Sequence, residues 1–158
     1  MRAGQTGEST RMASSISLSI DSDLDKVAHI AQAVRGVCSG LLSTDDADAV
    51  EISVVEAINN VIKHGYRGQP GQDVEVHVGL HKDQVVIDVV DHASPMQTEL
   101  LDQASEERFA FDETNLDEVP EGGMGLALIR MNMDEVEYTS EGGENRLRMI
   151  KRVAAPVS

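Results

Sequence analysis

Residues 50–66 read VEISVVEAINNVIKHGY, and the spacing within them predicts a helix. Val50, Val54, Ala57, Ile58, Val61 and Ile62 cover one broad apolar flank, which Ile52 and Val55 extend. Glu56, Asn60 and His64 recur every four residues and form a polar stripe on that greasy cylinder. A buried carboxylate and a buried amide are costly unless they are partnered or face a ligand. The pair suits one chemistry in particular: a carboxylate can take a proton from a nucleophile, and an amide oxygen one turn away can ligate magnesium.

Working outward, the chain of 158 residues is long enough for one domain with a proper core. Tyr66, Tyr138, Phe109 and Phe111 are its only aromatic residues, so that core must be aliphatic. Thirteen basic residues against twenty-eight acidic ones give a formal charge of -15. This argues against nucleic acid, whose phosphates need Lys and Arg, and favours a basic protein partner. Cys38 stands alone in an apolar helical pattern and reads as a small buried hydrophobe in a reducing cytoplasm. No apolar run is long enough to cross a membrane, and no Cys/His cluster has zinc spacing. Residues 1–12 read as a disordered start and 154–158 as a tail.

Before the decisive helix, residues 13–20 alternate Ile16, Leu18 and Ile20 with serine, the pattern of a half-buried strand. Ser22 with Asp25 is expected to cap a helix that runs from Leu24 to about Leu42. Ser43 to Asp46 then open the helix that carries the stripe, which ends near Gly65. Arg67–Gln72 is a turn, 73–80 and 84–91 are a hairpin of strands, and 135–140 and 146–153 are two more around Gly142–Gly143. Gly122, Gly123, Met124 and Gly125 lead into a further helix. Residues 93–121 form a long acidic connector with nine acids and one base, Arg108. The order predicts a two-layer α/β sandwich, a mixed and mostly antiparallel sheet with helices on one face.

The ordered set E-x-x-x-N-x-x-x-H-G-Y, then Asp91 ending the strand VVIDVVD, then G-M-G-L before a helix, then M-D-E-V-E, resembles the GHKL (histidine-kinase-like, Bergerat-fold) ATPase superfamily. Within it the resemblance is to the bacterial anti-sigma factor serine-protein kinases, and it covers roughly residues 13–153. The resemblance implies ATP and Mg2+ as cofactors. It implies Glu56 as catalytic base, Asn60 as magnesium ligand and Asp91 as the acid that reads adenine. Gly123 and Gly125, with Met124 and Leu126 beside them, would close on the phosphates, while Asn59 and His64 line the same region. Residues 93–121 would be the ATP lid. Partners implied are a STAS-domain anti-anti-sigma protein, phosphorylated on serine, and a sigma factor, with a homodimer formed through the N-terminal strand.

Two departures stand out. Ala93 and Pro95 occupy the places where a D-x-G-x-G form has glycines, so Ala93 is expected to crowd the adenine. The lid's acid excess lies where triphosphate would sit, and Arg108 is its only basic residue for a terminal phosphate, followed by Phe109-Ala110-Phe111 as a docking point. They motivate an alternative: a binding module of the same fold that senses nucleotide and sequesters a partner without transferring phosphate.

Overall fold

The computed structural model describes residues 14–96 and 123–154. The expected disordered start, residues 97–121 of the acidic connector with Arg108, Phe109 and Phe111, and nearly all of the tail lie outside the described residues. Strand β1 (Ser14–Asp21) is followed by a 3-10 turn (Leu24–Lys26), α1 (Val27–Cys38) and α2 (Thr44–Asn60). Then come β2 (Asp73–Leu80), β3 (Gln84–Asp91), α3 (Gly123–Asn132), β4 (Glu135–Glu141) and β5 (Glu144–Arg152).

The five strands lie in the order β1-β2-β3-β5-β4, and every neighbouring pair is antiparallel. Among the described residues the sheet is wholly antiparallel, in a two-layer α/β sandwich as expected. Alternation decides the faces. Val74, Val76 and Val78 of β2, Val85, Ile87 and Val89 of β3, and Leu147 and Met149 of β5 share one buried cluster with helix residues. From α1 these are Val27, Ala31, Val34 and Cys38, and from α2 Val50, Val54, Ala57 and Ile58. The core is aliphatic, as composition demands. Cys38 is fully buried, and burial pushes its thiol up to about 11, which keeps it protonated and inert.

Three local expectations are corrected. Ser22 does not cap the first helix: Asp23 accepts the N–H of Asp25 (2.9 Å), while the buried Ser22 hydroxyl donates to Gln69 O and accepts from Gln72 N. Its burial between two segments distant in sequence removes it from the helix start. Helix α1 begins at Val27 and ends at Cys38 rather than spanning Leu24 to Leu42. Leu24 and Leu41, which fall within the expected span, are exposed. Ser43 does cap α2, accepting from Asp46 N (3.1 Å), with Asp45 and Asp46 in its first turn, where the helix dipole favours acids. Beyond Asn60, however, α2 widens into a π-helical turn, Val61–Gly65, closed by Tyr66 N–H on Val61 O (2.8 Å).

The sheet face turned away from the helices is polar. At its centre Asp88, 5% exposed, accepts hydrogen bonds from Arg146 (2.6 Å) and Arg148 (2.8 and 2.9 Å). Burial alone would raise the Asp88 carboxyl, but the hydrogen bonds from the two arginines outweigh it and hold the group below its ordinary value. A depressed folded value means that this network's stabilisation is complete above the unfolded carboxylate value and is lost as pH falls through the lower folded one. Asp88→Asn is expected to cost about 2 kcal/mol near neutrality, less than a fully buried pair because the arginines are half-exposed. Urea unfolding of both proteins near neutral pH and in strong acid checks it: the gap between them should close in acid, and a gap that stays constant would refute the account.

Candidate functional site

Helix α2 delivers two of the expected residues to one place. Gly125, in the first turn of α3, packs so closely on α2 that a Cβ there would lie 2.8 Å from Glu56 Oε1. The same Cβ would lie 3.4 and 3.5 Å from Asn60 Nδ2 and Oδ1. Only a residue without a side chain permits this approach. Glu56 and Asn60 therefore meet the GMG segment across some seventy positions of chain. Asn60 Nδ2 is buried with no hydrogen-bond partner, a state that costs free energy unless an incoming acceptor satisfies it.

A cleft of about 420 Å3 shares Asn60 with this contact, though Glu56 and Gly125 do not line it. Val61, His64, Gly65 and Arg67 line it after Asn60, with Asp91, Ser94, Pro95 and Met96 from the end of β3 and beyond, and Leu126, Tyr138 and Leu147 from α3, β4 and β5. Asp91 is 6% exposed. Its Oδ1 accepts from Ala93 N–H and from Asn145 Nδ2, both at 2.8 Å. Oδ2 has no partner among the described residues, so one carboxylate oxygen remains to accept a hydrogen bond from an amino group entering the cleft.

The carboxylate is held by residues the sequence reading missed. Asn145, 1% exposed, stands opposite Asp91 in the β3–β5 register. Besides Asp91 it donates to Ala93 O (2.8 Å), and its Oδ1 accepts from Ser140 Oγ (2.7 Å). A polar residue in phase with the inward-facing Leu147 and Met149 was the available signal. Tyr66 pins the π-turn to the same corner, its hydroxyl donating to Asp73 O (2.7 Å) and accepting from His92 N–H (2.9 Å). Tyr138 accepts from Met96 N–H (2.8 Å). Burial raises both phenols above their ordinary value, so they stay neutral.

The remaining expected residues divide. His64 and Leu126 line the cleft. Asn59 is half-buried and does not, because one residue's rotation on α2 turns it away from Asn60. Ala93 is not among the residues that line the cleft either. A Cβ on Gly65 would lie 2.8 Å from the Ala93 methyl, so that methyl is turned onto the glycine of the π-turn. The missing side chain at Gly65 compensates for the added one at 93. Gly123 and Met124 begin α3, and the Met124 side chain, like Arg108, is outside the described residues.

A family model described as histidine kinase-like ATPase domain matches residues 20–151. The chain belongs to that family. Among curated relatives it is similar to the protein named Serine-protein kinase RsbW of Bacillus pumilus, 30% identical over 132 residues, which are 81% of this chain and 80% of the relative. It is similar also to Serine-protein kinase RsbW of Bacillus velezensis, 28% identical over 81% of this chain and 79% of that one. The protein named Anti-sigma F factor of Clostridium beijerinckii is 29% identical over 68% and 71%. Among solved structures, that of the RsbU and RsbW domains of a Mycobacterium tuberculosis protein superposes with a TM-score of 0.62 at 14% identity. It covers 91% of this chain and 34% of that one, and shares the fold.

The cleft combines polar residues, Asn60, His64, Arg67, Asp91 and Ser94, with apolar ones, Val61, Met96, Leu126 and Leu147. No group of three or more His, Cys, Asp or Glu that could hold a metal occurs among the described residues. Glu56 and Asn60 together offer one carboxylate and one amide. That sparse set suits magnesium, which takes few protein ligands and completes its shell with phosphates and water.

Proposed function

We propose that this chain is an Mg-ATP-dependent serine-protein kinase and anti-sigma factor of a partner-switching module. Its substrate is a serine of a STAS-type anti-anti-sigma protein, and its second partner is a sigma factor. The observation that carries the reading is the close approach of Gly125 to Glu56 and Asn60, with Asn60 and Asp91 lining one cleft. It is supported by the relatives named serine-protein kinase and anti-sigma factor. The ATPase domain spans 13–153, with the lid at 93–121.

In the proposed reaction Asp91 accepts the adenine amino group through Oδ2 and sets the base at the far end. The triphosphate then runs toward the start of α3, whose backbone amides and glycines admit phosphate oxygens. Asn60 would hold magnesium through its side-chain oxygen, and its unpartnered Nδ2 would donate to a phosphate oxygen. Magnesium, when bound, neutralises charge on the transferring phosphoryl group. Glu56 takes the proton of the partner's serine hydroxyl. The serine oxygen bonds to the γ-phosphorus, the bond to the β–γ bridging oxygen breaks, and ADP leaves with that electron pair. Positioning supplies most of the rate.

The chain acts as a homodimer through β1, whose outer edge has no strand partner in the sheet. No helix among the described residues is long and apolar enough to cross a membrane, which suits the cytoplasmic setting proposed here. The first test is incubation with Mg-ATP and the STAS-domain protein encoded nearest to it. Phosphoserine on that partner is expected. Nucleotide binding with no phosphate on any STAS partner would reduce the protein to a nucleotide-gated sequestering module. Sedimentation of the same preparation as monomer alone at micromolar concentration would remove the dimer.

A further inference from the structure

Arg67 is the only described non-glycine residue with a left-handed backbone, at φ 55°. That conformation costs an L side chain free energy, and glycine adopts it freely. The turn around it is held tightly. Tyr66 N–H bonds to Val61 O and Gly68 N–H to Ile62 O, each at 2.8 Å, and Gln69 N–H bonds to Tyr66 O at 3.0 Å. The Tyr66 hydroxyl ties the same turn to His92, the residue after Asp91. Arg67 is thus fixed relative to the acid that ends the cleft, and strain held in a rigid frame at a cleft is a mark of function.

Its charge is equally telling. Arg67 lines the cleft, and no other Lys or Arg does so among the described residues. Its guanidinium has no hydrogen bond or ion pair with any described residue. By contrast Arg35, Arg146, Arg148 and Arg152 each pair with an acid. Arg67 is exposed, so its guanidinium is open to an incoming ligand.

We propose that Arg67 is an adenine-binding residue: its planar guanidinium lies over the face of the base whose edge Asp91 reads. The claim rests on the kinase reading above. It assigns Arg67 to the base rather than to the phosphates for a reason of position. The Tyr66–His92 bond ties the turn to the residue next to Asp91, whereas Glu56 and Asn60, which meet Gly125, lie back along the chain on α2. Arginine stacks on aromatic rings through its flat, weakly hydrated cation, and lysine offers no such plane. Met96 and Leu147 supply apolar surface in the same cleft.

The test uses Arg67→Gly, because glycine accepts the left-handed backbone and the variant should melt at or above the wild-type temperature. Calorimetric titrations with adenosine, Mg-ADP and Mg-ATP, each at low and high salt, give the readout. We expect affinity to fall by about tenfold, by the same factor for all three ligands and at both salt concentrations. Arg67→Lys should recover little of it. Unchanged affinity in Arg67→Gly would overturn the proposal, leaving the residue as a turn former. A loss that grows with the number of phosphates and shrinks with salt, or full recovery by lysine, would overturn it in favour of a contact to the phosphate chain. Wild-type protein that binds no adenine compound would instead overturn the kinase reading, and this proposal with it.

Discussion

Phosphoryl transfer by the Glu56→Gln variant is expected to fall by about 10²- to 10⁴-fold, while its affinity for Mg-ADP stays within about threefold of the wild type. Glutamine matches the shape of glutamate and keeps one acceptor oxygen, but replaces the other by an NH2 donor. It cannot take up a proton, so the serine hydroxyl would have to attack undeprotonated. Nucleotide binding should survive, because the contacts assigned to the base and to magnesium belong to Asp91 and Asn60. The carboxylate is half-buried, away from the aliphatic core, so folding should be little affected. Initial rates of phosphoserine formation, set beside calorimetric affinities, separate the two effects. A variant that transfers phosphate within tenfold of the wild type would show that Glu56 is not the base, however well it is placed.

The second large effect is expected at Gly125. A methyl group there would sit 2.8 Å from Glu56 Oε1, a distance that bonded geometry does not tolerate without movement. Either the carboxylate swings aside or the first turn of α3 withdraws. Both misplace a reacting group by about an ångström, which is worth about 10²-fold in rate. Gly125→Ala should therefore lose about that much transfer and, where α3 withdraws rather than the carboxylate swinging aside, also bind Mg-ATP several-fold more weakly, Asn60 itself being at ordinary contact distance from the methyl. Its stability should change by no more than about 1 kcal/mol, since alanine favours the helix and the carboxylate end is flexible. Parallel measurement of rate, affinity and melting temperature checks the pattern. Normal rates and affinity would mean that α3 does not need to approach α2 for catalysis.

Much of this site was legible before any coordinates. The four-residue spacing of Glu56, Asn60 and His64 is a property of helical geometry, and Asn60 and His64 do share the cleft. Asp91 at the close of an apolar strand was visible for the same kind of reason, because a lone acid after VVIDVV must mark an end or a function. Ala93 shows where such reading stops. Its methyl looked like an obstruction, yet whether a methyl obstructs depends on the direction of its Cα–Cβ bond, and Gly65 receives it. Asn145 was overlooked because a polar residue beside a Gly-Gly turn looks ordinary until the β3–β5 register sets it against Asp91. The π-turn after Asn60 was invisible too, since an apolar helical pattern reads the same through a single widened turn.

The sequence by itself determined the elements, their faces and the residue types at the site, because periodicity, caps and turn residues act over a few positions of chain. Only the tertiary structure decided which of those residues meet. Gly125 reaches Glu56 and Asn60 because α3 crosses α2 there, and Asn145 grips Asp91 because an antiparallel register puts them side by side. Arg67 is held left-handed at the cleft rim on a turn that hydrogen bonds to Val61 and Ile62 close and that Tyr66 ties to His92. Helix crossings and strand registers are settled by the packing of the whole core, and no local stretch of sequence contains that information.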